Sequence, residues 1–178
     1  MEWNLADIIK SCKKQNAQAQ LALFRHYKKQ LLGLCLRYVN SREVAEEVLM
    51  DAFVIIFKTI KSQKGASFES WMKSIVVHKA IDYFRKHKND PAFEEIEYVL
   101  DKKVQEHQSE QLELDELVKL LQCLPAGYRM VFNLYTIEGF QHKEIAEKLG
   151  ISVNTSKSQL HKAKVKLQEI LQKGGYHV

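Results

Sequence analysis

Six positions near the C-terminus, Asn154, Thr155, Lys157, Ser158, His161 and Lys162, bring amide, hydroxyl, imidazole and ammonium groups to the outer side of one predicted helix. Amides and hydroxyls match base edges and ammonium groups match phosphate oxygens, so this mixture fits a helix lying against nucleic acid. A second set, Glu47, Met50, Asp51 and Val54, alternates acid with apolar side chains along one stripe. That pattern fits a protein partner, or equally a second contact within its own domain. A third set begins with the loop KSQKGAS, which supplies Lys61, Ser62, Gln63 and Lys64. His78, Lys79 and Asp82 follow it, and the run YFRKHK then puts aromatic rings beside cations. Rings next to positive charge are what unstacked bases need, although Phe68, Trp71, Tyr83 and Phe84 are expected to be mostly core. The 7 histidines and 22 acids form no HExxH or DxD pair, and no glycine-rich phosphate loop is present. The expectation is therefore no catalysis, no metal and no cofactor.

The outer row at the C-terminus needs an element to hold it, and the stretch HKEIAEKLGISVNTSKSQLHKAKVK provides one. Ile145, Ala146 and Leu149 lie one helical turn apart, Gly150 follows as a left-handed stop, and Ser152 can cap a new helix from Val153. Helices joined so tightly cross steeply, and Ala146 is small where their backbones approach, which is the geometry of a helix-turn-helix. In the second helix Val153, Leu160, Ala163 and Leu167 supply a packing stripe between Lys157, Lys162, Lys164 and Lys166. A helical hairpin with solvated lysines remains the alternative on spacing alone.

Composition sets the class. Only 2 prolines and 7 glycines occur in 178 residues, which predicts an all-α protein of one domain or two small ones. A net charge of +5 is compatible with a polyanionic partner. Cys12, Cys35 and Cys123 are too far apart for a zinc or disulfide framework and are expected as buried apolar residues of a reducing compartment. No apolar run spans a bilayer and no signal-peptide pattern opens the chain, so a cytoplasmic location without membrane insertion is expected.

From Ala17 to Val39, Leu21, Phe24, Leu31, Leu34 and Tyr38 recur at helical spacing. Ser41 can cap a helix running to about Ile60, with Ala45, Val48, Leu49, Ala52, Phe53, Ile56 and Ile60 as its core stripe. A further helix restarts at Phe68 and continues through Met72, Ile75, Val76 and Phe84. Between Asn89 and Leu112 the charge turns acidic and Pro91 appears, which reads as a linker from 89 to 112 between domains 1–88 and 113–178. Leu114, Leu117, Leu120 and Leu121 then resume helical spacing, Pro125 and Gly127 interrupt it, and Met130, Val131, Leu134 and Ile137 continue it. The second domain is predicted to hold about four helices, the helix-turn-helix last.

Taken together, both halves resemble the extracytoplasmic-function (ECF) class of bacterial sigma factors, the smallest specificity subunits of RNA polymerase. REVAEEVLMDAF resembles the helix by which sigma region two grips the polymerase β′ coiled coil. FESWMKSIVVHKAIDYFRKHK resembles the helix that melts and reads the minus-ten element. LPAGYRMVFNLYTIEGFQHKEIAEKLGISVNTSKSQLHKAKVKL resembles region four, whose last helix enters the major groove at the minus-thirty-five element. The resemblance implies polymerase contact through Glu47, Met50, Asp51 and Val54. It implies minus-ten contact through Lys61, Ser62, Gln63, Lys64, His78, Lys79 and Asp82, and minus-thirty-five contact through the row from Asn154 to Lys162. Its implied partners are core polymerase, at the β′ coiled coil and β flap, promoter DNA and an anti-sigma factor. Departures are His78, where asparagine is frequent, and Ser156 and Gln159, where valine and arginine are common, so recognition should lean on Lys157, Ser158 and Lys162. A stand-alone DNA-binding regulator is the rival reading, but it leaves the stripe at Glu47 and the Trp71 region without a role.

Overall fold

The computed structural model describes residues 4–64, 67–90 and 110–173, with side chains from 116 onward in the last stretch. Among the described residues all regular structure is helical, as the composition predicts. Two compact units emerge, Met1–Cys35 with Ser41–Ala80, and Leu36–Asn40 with Ile81–Val178.

The first unit holds α1 (Leu5–Lys13), most of α2 (Ala17–Leu36), α3 (Arg42–Thr59) and the front of α4 (Phe68–His87). Its helix starts are written in side chains. Asn4 Oδ1 accepts from the Ala6 amide, Asn16 Oδ1 from Ala19, and Ser41 Oγ from Val44, each satisfying an amide that the first turn leaves without a partner. Glu43, in the first turn of α3, is held below the usual carboxylate range, mainly by the hydroxyl of Ser41. Every member of the predicted α3 core stripe, Ala45 through Ile60, is buried. The stripe predicted for α2 needs rephasing. Leu21 is exposed, and the buried line runs through Leu23, Tyr27 and Leu31 at four-residue steps, with Phe24 at its edge against Phe53 at 4.8 Å between ring centroids. On α4, Met72, Val76, Val77 and Ala80 are buried.

Four helices build most of the second unit. They are α5 (Glu110–Gln122), α6 (Ala126–Phe132), α7 (His142–Leu149) and α8 (Val153–Lys173), with a single π-helical turn at Asn133–Ile137 continuing α6. Residues 91–109, most of the predicted linker, lie outside the described residues, and α5 begins at Glu110, inside the stretch read as linker. Leu121, Leu124 and Ala163 form a buried cluster bordered by Tyr128, Phe132 and Leu167. Gly127 does not stop a helix. It lies inside α6, where a Cβ would stand 2.9 Å from Nε2 at the end of the Gln159 side chain, which reaches across from α8. Three residues expected in packing stripes, Leu117, Ile137 and Val153, are exposed, because each sits at the margin of its helix face or at a helix end.

The end of α2 is finished by side chains of this unit. The last turn of a helix leaves carbonyls without intrahelical donors. Here Gln122 Nε2 donates to the carbonyl of Leu36, the last residue of α2, at 3.3 Å, and the two residues after the helix are held likewise, Asn133 Nδ2 donating to Arg37 O at 2.8 Å and Arg129 Nε to Tyr38 O at 3.1 Å. Arg129 also donates to the carbonyls of Gln122 and Leu124 and is almost wholly buried, which pulls its guanidinium down to about 10. Glu138 completes the arrangement outside, pairing with Arg37 at 2.9 Å and accepting from the Tyr38 hydroxyl at 3.1 Å.

Candidate nucleic-acid interface

The helix-turn-helix forms as its sequence predicts. Ile145, Ala146 and Leu149 are buried, Gly150 adopts φ 63°, and the Ile151 amide reaches back to Ala146 O at 3.0 Å. A left-handed residue at this point costs glycine little, while a side chain there is strained. Ser152 Oγ accepts from the Thr155 amide at 2.9 Å and starts α8. At the front of α7, Glu144 accepts from the Gln141 amide at 2.7 Å, so both helices of the motif are capped locally.

On α8 the polar row stands outward. Asn154, Lys157, Ser158, His161 and Lys162 are exposed and Thr155 is half-buried, its hydroxyl within 2.8 Å of Ser152 Oγ. Lys162 also lies 6.0 Å from the centre of the Tyr128 ring. Two neighbours of the row turn inward. Gln159 extends over Gly127, and Ser156 is fully buried. A buried hydroxyl without a partner costs about 1–3 kcal/mol. Ser156 avoids that through His142, whose Nδ1 lies 2.9 Å from Ser156 Oγ. The imidazole is itself stacked on Tyr135 of the π turn, 4.4 Å between centroids and 20° from parallel. Desolvation, and then the charge of Lys157, hold His142 below the usual imidazole range. Neither His142 nor Tyr135 was singled out by sequence. A serine on the buried side of α8 could have pointed to them, but spacing cannot name its partner. At the other end of α7, Lys88 Nζ donates to Leu149 O at 3.0 Å and Gly150 O at 3.2 Å, where a helix C-terminus favours a cation.

The other two predicted sets lie in the first unit, apart from Asp82, which falls in the second. Glu47, Met50, Asp51 and Val54 are all exposed on α3, Met50 at 53% and Val54 at 47%, on the side away from the buried stripe. Lys61, Ser62 and Lys64 are exposed after α3 while Gln63 is half-buried, and Ser62 Oγ donates to Thr59 O at 2.7 Å. Along α4, His78 and Asp82 are exposed and Lys79 is half-buried. His78 Nδ1 donates to Ser74 O at 2.7 Å. Lys79 Nζ meets Asp51 Oδ2 at 3.5 Å, joining a residue of the stripe to one of the α4 row. The aromatic expectation needs correction. Of the four only Phe84 is buried, while Phe68 and Trp71 lie tilted against each other at 5.4 Å and stay half-buried, as does Tyr83, stacked on His87. An amphipathic helix cannot bury rings at positions 68, 71, 83 and 84 at once, because they do not share one face.

Comparison with known proteins matches two separate stretches of the chain. A profile of the family described as Sigma-70 region 2 matches residues 23–89, and one described as Sigma-70, region 4 matches residues 114–167. The chain is 29% identical to the ECF RNA polymerase sigma factor SigW of Bacillus subtilis, over 96% of this chain and 98% of that protein. It is 24% identical to SigM of the same organism, covering 85% of this chain and 94% of the relative. With the ECF RNA polymerase sigma factor SigE of Mycolicibacterium smegmatis it is also 24% identical, and there it spans 61% of the relative's length. Among solved structures, the sigma factor RpoE of Bartonella quintana, crystallised with the anti-sigma factor NepR, shares the fold at a TM-score of 0.50 and 21% identity. That match covers 85% of this chain and 95% of the other.

Proposed function

Because the chain belongs to the sigma-70 family of RNA polymerase sigma factors and is of its ECF type, we propose that it binds core polymerase and selects promoters through two DNA elements. The observation that carries this reading is the presence of both family regions in order, each with an outward row of suitable chemistry. In this reading Glu47, Met50, Asp51 and Val54 meet the β′ coiled coil. Lys61, Ser62, Gln63, Lys64, His78, Lys79 and Asp82 face the minus-ten element. Asn154, Thr155, Lys157, Ser158, His161 and Lys162 enter the major groove at the minus-thirty-five element.

The mechanism follows from differential binding. A surface that accepts only an unstacked base favours open over closed duplex by the energy of each base captured, on the order of 1–3 kcal/mol. Region four holds the upstream duplex, so melting occurs at a fixed distance from it. No bond in the DNA is broken or made by this chain, which acts as a specificity subunit rather than an enzyme. Among the described residues no helix is long and apolar enough to cross a membrane. In this reading the chain works in the cytoplasm beside polymerase and has an anti-sigma factor as a further partner; the solved relative forms a complex with the anti-sigma factor NepR.

Transcription in vitro with core polymerase on fragmented genomic DNA tests the proposal. Discrete start sites that appear only when this protein is added are the expected result, and their absence from an active core preparation rejects it. Co-purification with core polymerase separates it from a stand-alone regulator, which would bind DNA without polymerase.

A further inference from the structure

We infer that His142 is a positioning residue for DNA reading, and that its bond to Ser156 sets the roll of α8 about its own axis. The inference rests on the reading of α8 as the helix that enters the groove. Three elements converge here. The π turn supplies the Tyr135 ring, α7 supplies the imidazole stacked on it, and α8 supplies the buried hydroxyl 2.9 Å from His142 Nδ1.

The consequence is geometric. Successive helical residues point about 100° apart, and helix neighbours at three and four positions share a face. Fixing the direction of Ser156 inward therefore fixes the directions of Thr155, Lys157 and Ser158 outward. Apolar packing through Leu160 and Ala163 resists separation of the helices, but it is non-directional and resists rotation weakly. A hydrogen bond has a preferred line. The bond at Ser156 lies within one residue of Lys157, at the end of α8 that presents side chains to bases, so any roll it permits passes directly to the reading atoms. A valine at this position could pack in the same place but could not be held by an imidazole.

The test uses full-length protein reconstituted with core polymerase. Its probes are a promoter fragment recovered by transcription of genomic fragments, and the same fragment with one base changed in the upstream element. The readout is the ratio of half-saturating holoenzyme concentrations on the two probes, beside the melting temperature of each free variant. His142→Ala and Ser156→Val are each expected to lower that ratio about 10-fold, equivalent to about 1.4 kcal/mol. Ser156→Ala guards against overpacking by valine and should do the same. The double variant should lose no more than either single one, because both remove one shared bond. His142→Asn places an amide atom where Nδ1 stands and should restore most of the discrimination. Unchanged discrimination in His142→Ala and Ser156→Ala overturns the inference, as do multiplying losses or failure of asparagine to rescue. A wild-type holoenzyme that does not discriminate at the upstream element overturns the DNA-reading role of α8 itself, and the inference with it.

Discussion

At the scale of single residues, position along α8 decides what a lysine can do. Lys157 and Ser158 are exposed in the first two turns, where an inserted helix faces base edges, while Lys164 is exposed farther along, where the proposed docking sets it against phosphates. Lys157→Ala should reduce discrimination against a single-base variant by about 1–3 kcal/mol. Lys164→Ala should weaken all sequences alike and lower the salt slope by about one unit. Titrations on both duplexes at several salt concentrations check this, and the opposite pattern would reverse the docking of the helix. His142 gives a second prediction at this scale. In the unfolded chain its pKa is near 6.5, whereas burial and Lys157 lower it in the fold. The unfolded state then holds more protons as pH falls below about 6.5, so the contribution of His142 to stability is present above that value and declines through the lower folded pKa. Comparing urea midpoints of wild type and His142→Asn from pH 7.5 to 5 should show a steeper decline in wild type. Parallel curves would count against it.

At the scale of elements, the exposed stripe of α3 and the capped end of α2 carry different kinds of prediction. Glu47 and Asp51 are exposed and belong to no buried network, so Glu47→Lys with Asp51→Lys should leave the circular dichroism unchanged and abolish binding to core polymerase by reversing charge at the contact. Retention of wild-type affinity would give the stripe another use. Arg129 is the contrary case. Arg129→Ala removes the donor from the carbonyls of Tyr38, Gln122 and Leu124, and should cost at least about 2 kcal/mol in urea unfolding. The two cases also mark what was legible in sequence. The α3 stripe was readable in full because a straight helix with one buried face obeys its period, and Ser41, Gly150 and Ser152 were readable because caps act within three residues. The capping of α2 by Gln122, Arg129 and Asn133 was not. Those side chains act on carbonyls far away in sequence, and nothing in local spacing marks a polar residue as bound for a distant helix end. The phase of α2 failed for a related reason, since Leu21 and Leu23 are equally apolar and only packing chooses between them.

At the scale of the whole molecule, the cysteines report on opening. Cys12 and Cys35 are fully buried, and burial raises both thiols, Cys35 to about 12. Cys123 is half-buried and also raised by desolvation. A disulfide reagent near pH 7.5 should therefore modify at most one thiol per native chain, slowly, and all three in denaturant. The rate at the other two measures how often their surroundings open. Prompt reaction of two or three thiols in the native protein would contradict the packing around α1 and α2.

The cap on α2 bears finally on the order in which the chain is made. The carbonyl of Tyr38 waits for Arg129, 91 residues later, and that of Arg37 for Asn133, 96 residues later. At about 5–20 residues per second, synthesis takes on the order of 5–20 seconds to cover that interval. During it, the turn just ahead of α3 is finished only by water, so a nascent chain that stalls after α3 has emerged and before residue 129 is made presents the α3 stripe on an N-terminal half whose helix end is still open. A ribosome paused there would hold the proposed polymerase surface before the helices proposed to read DNA exist.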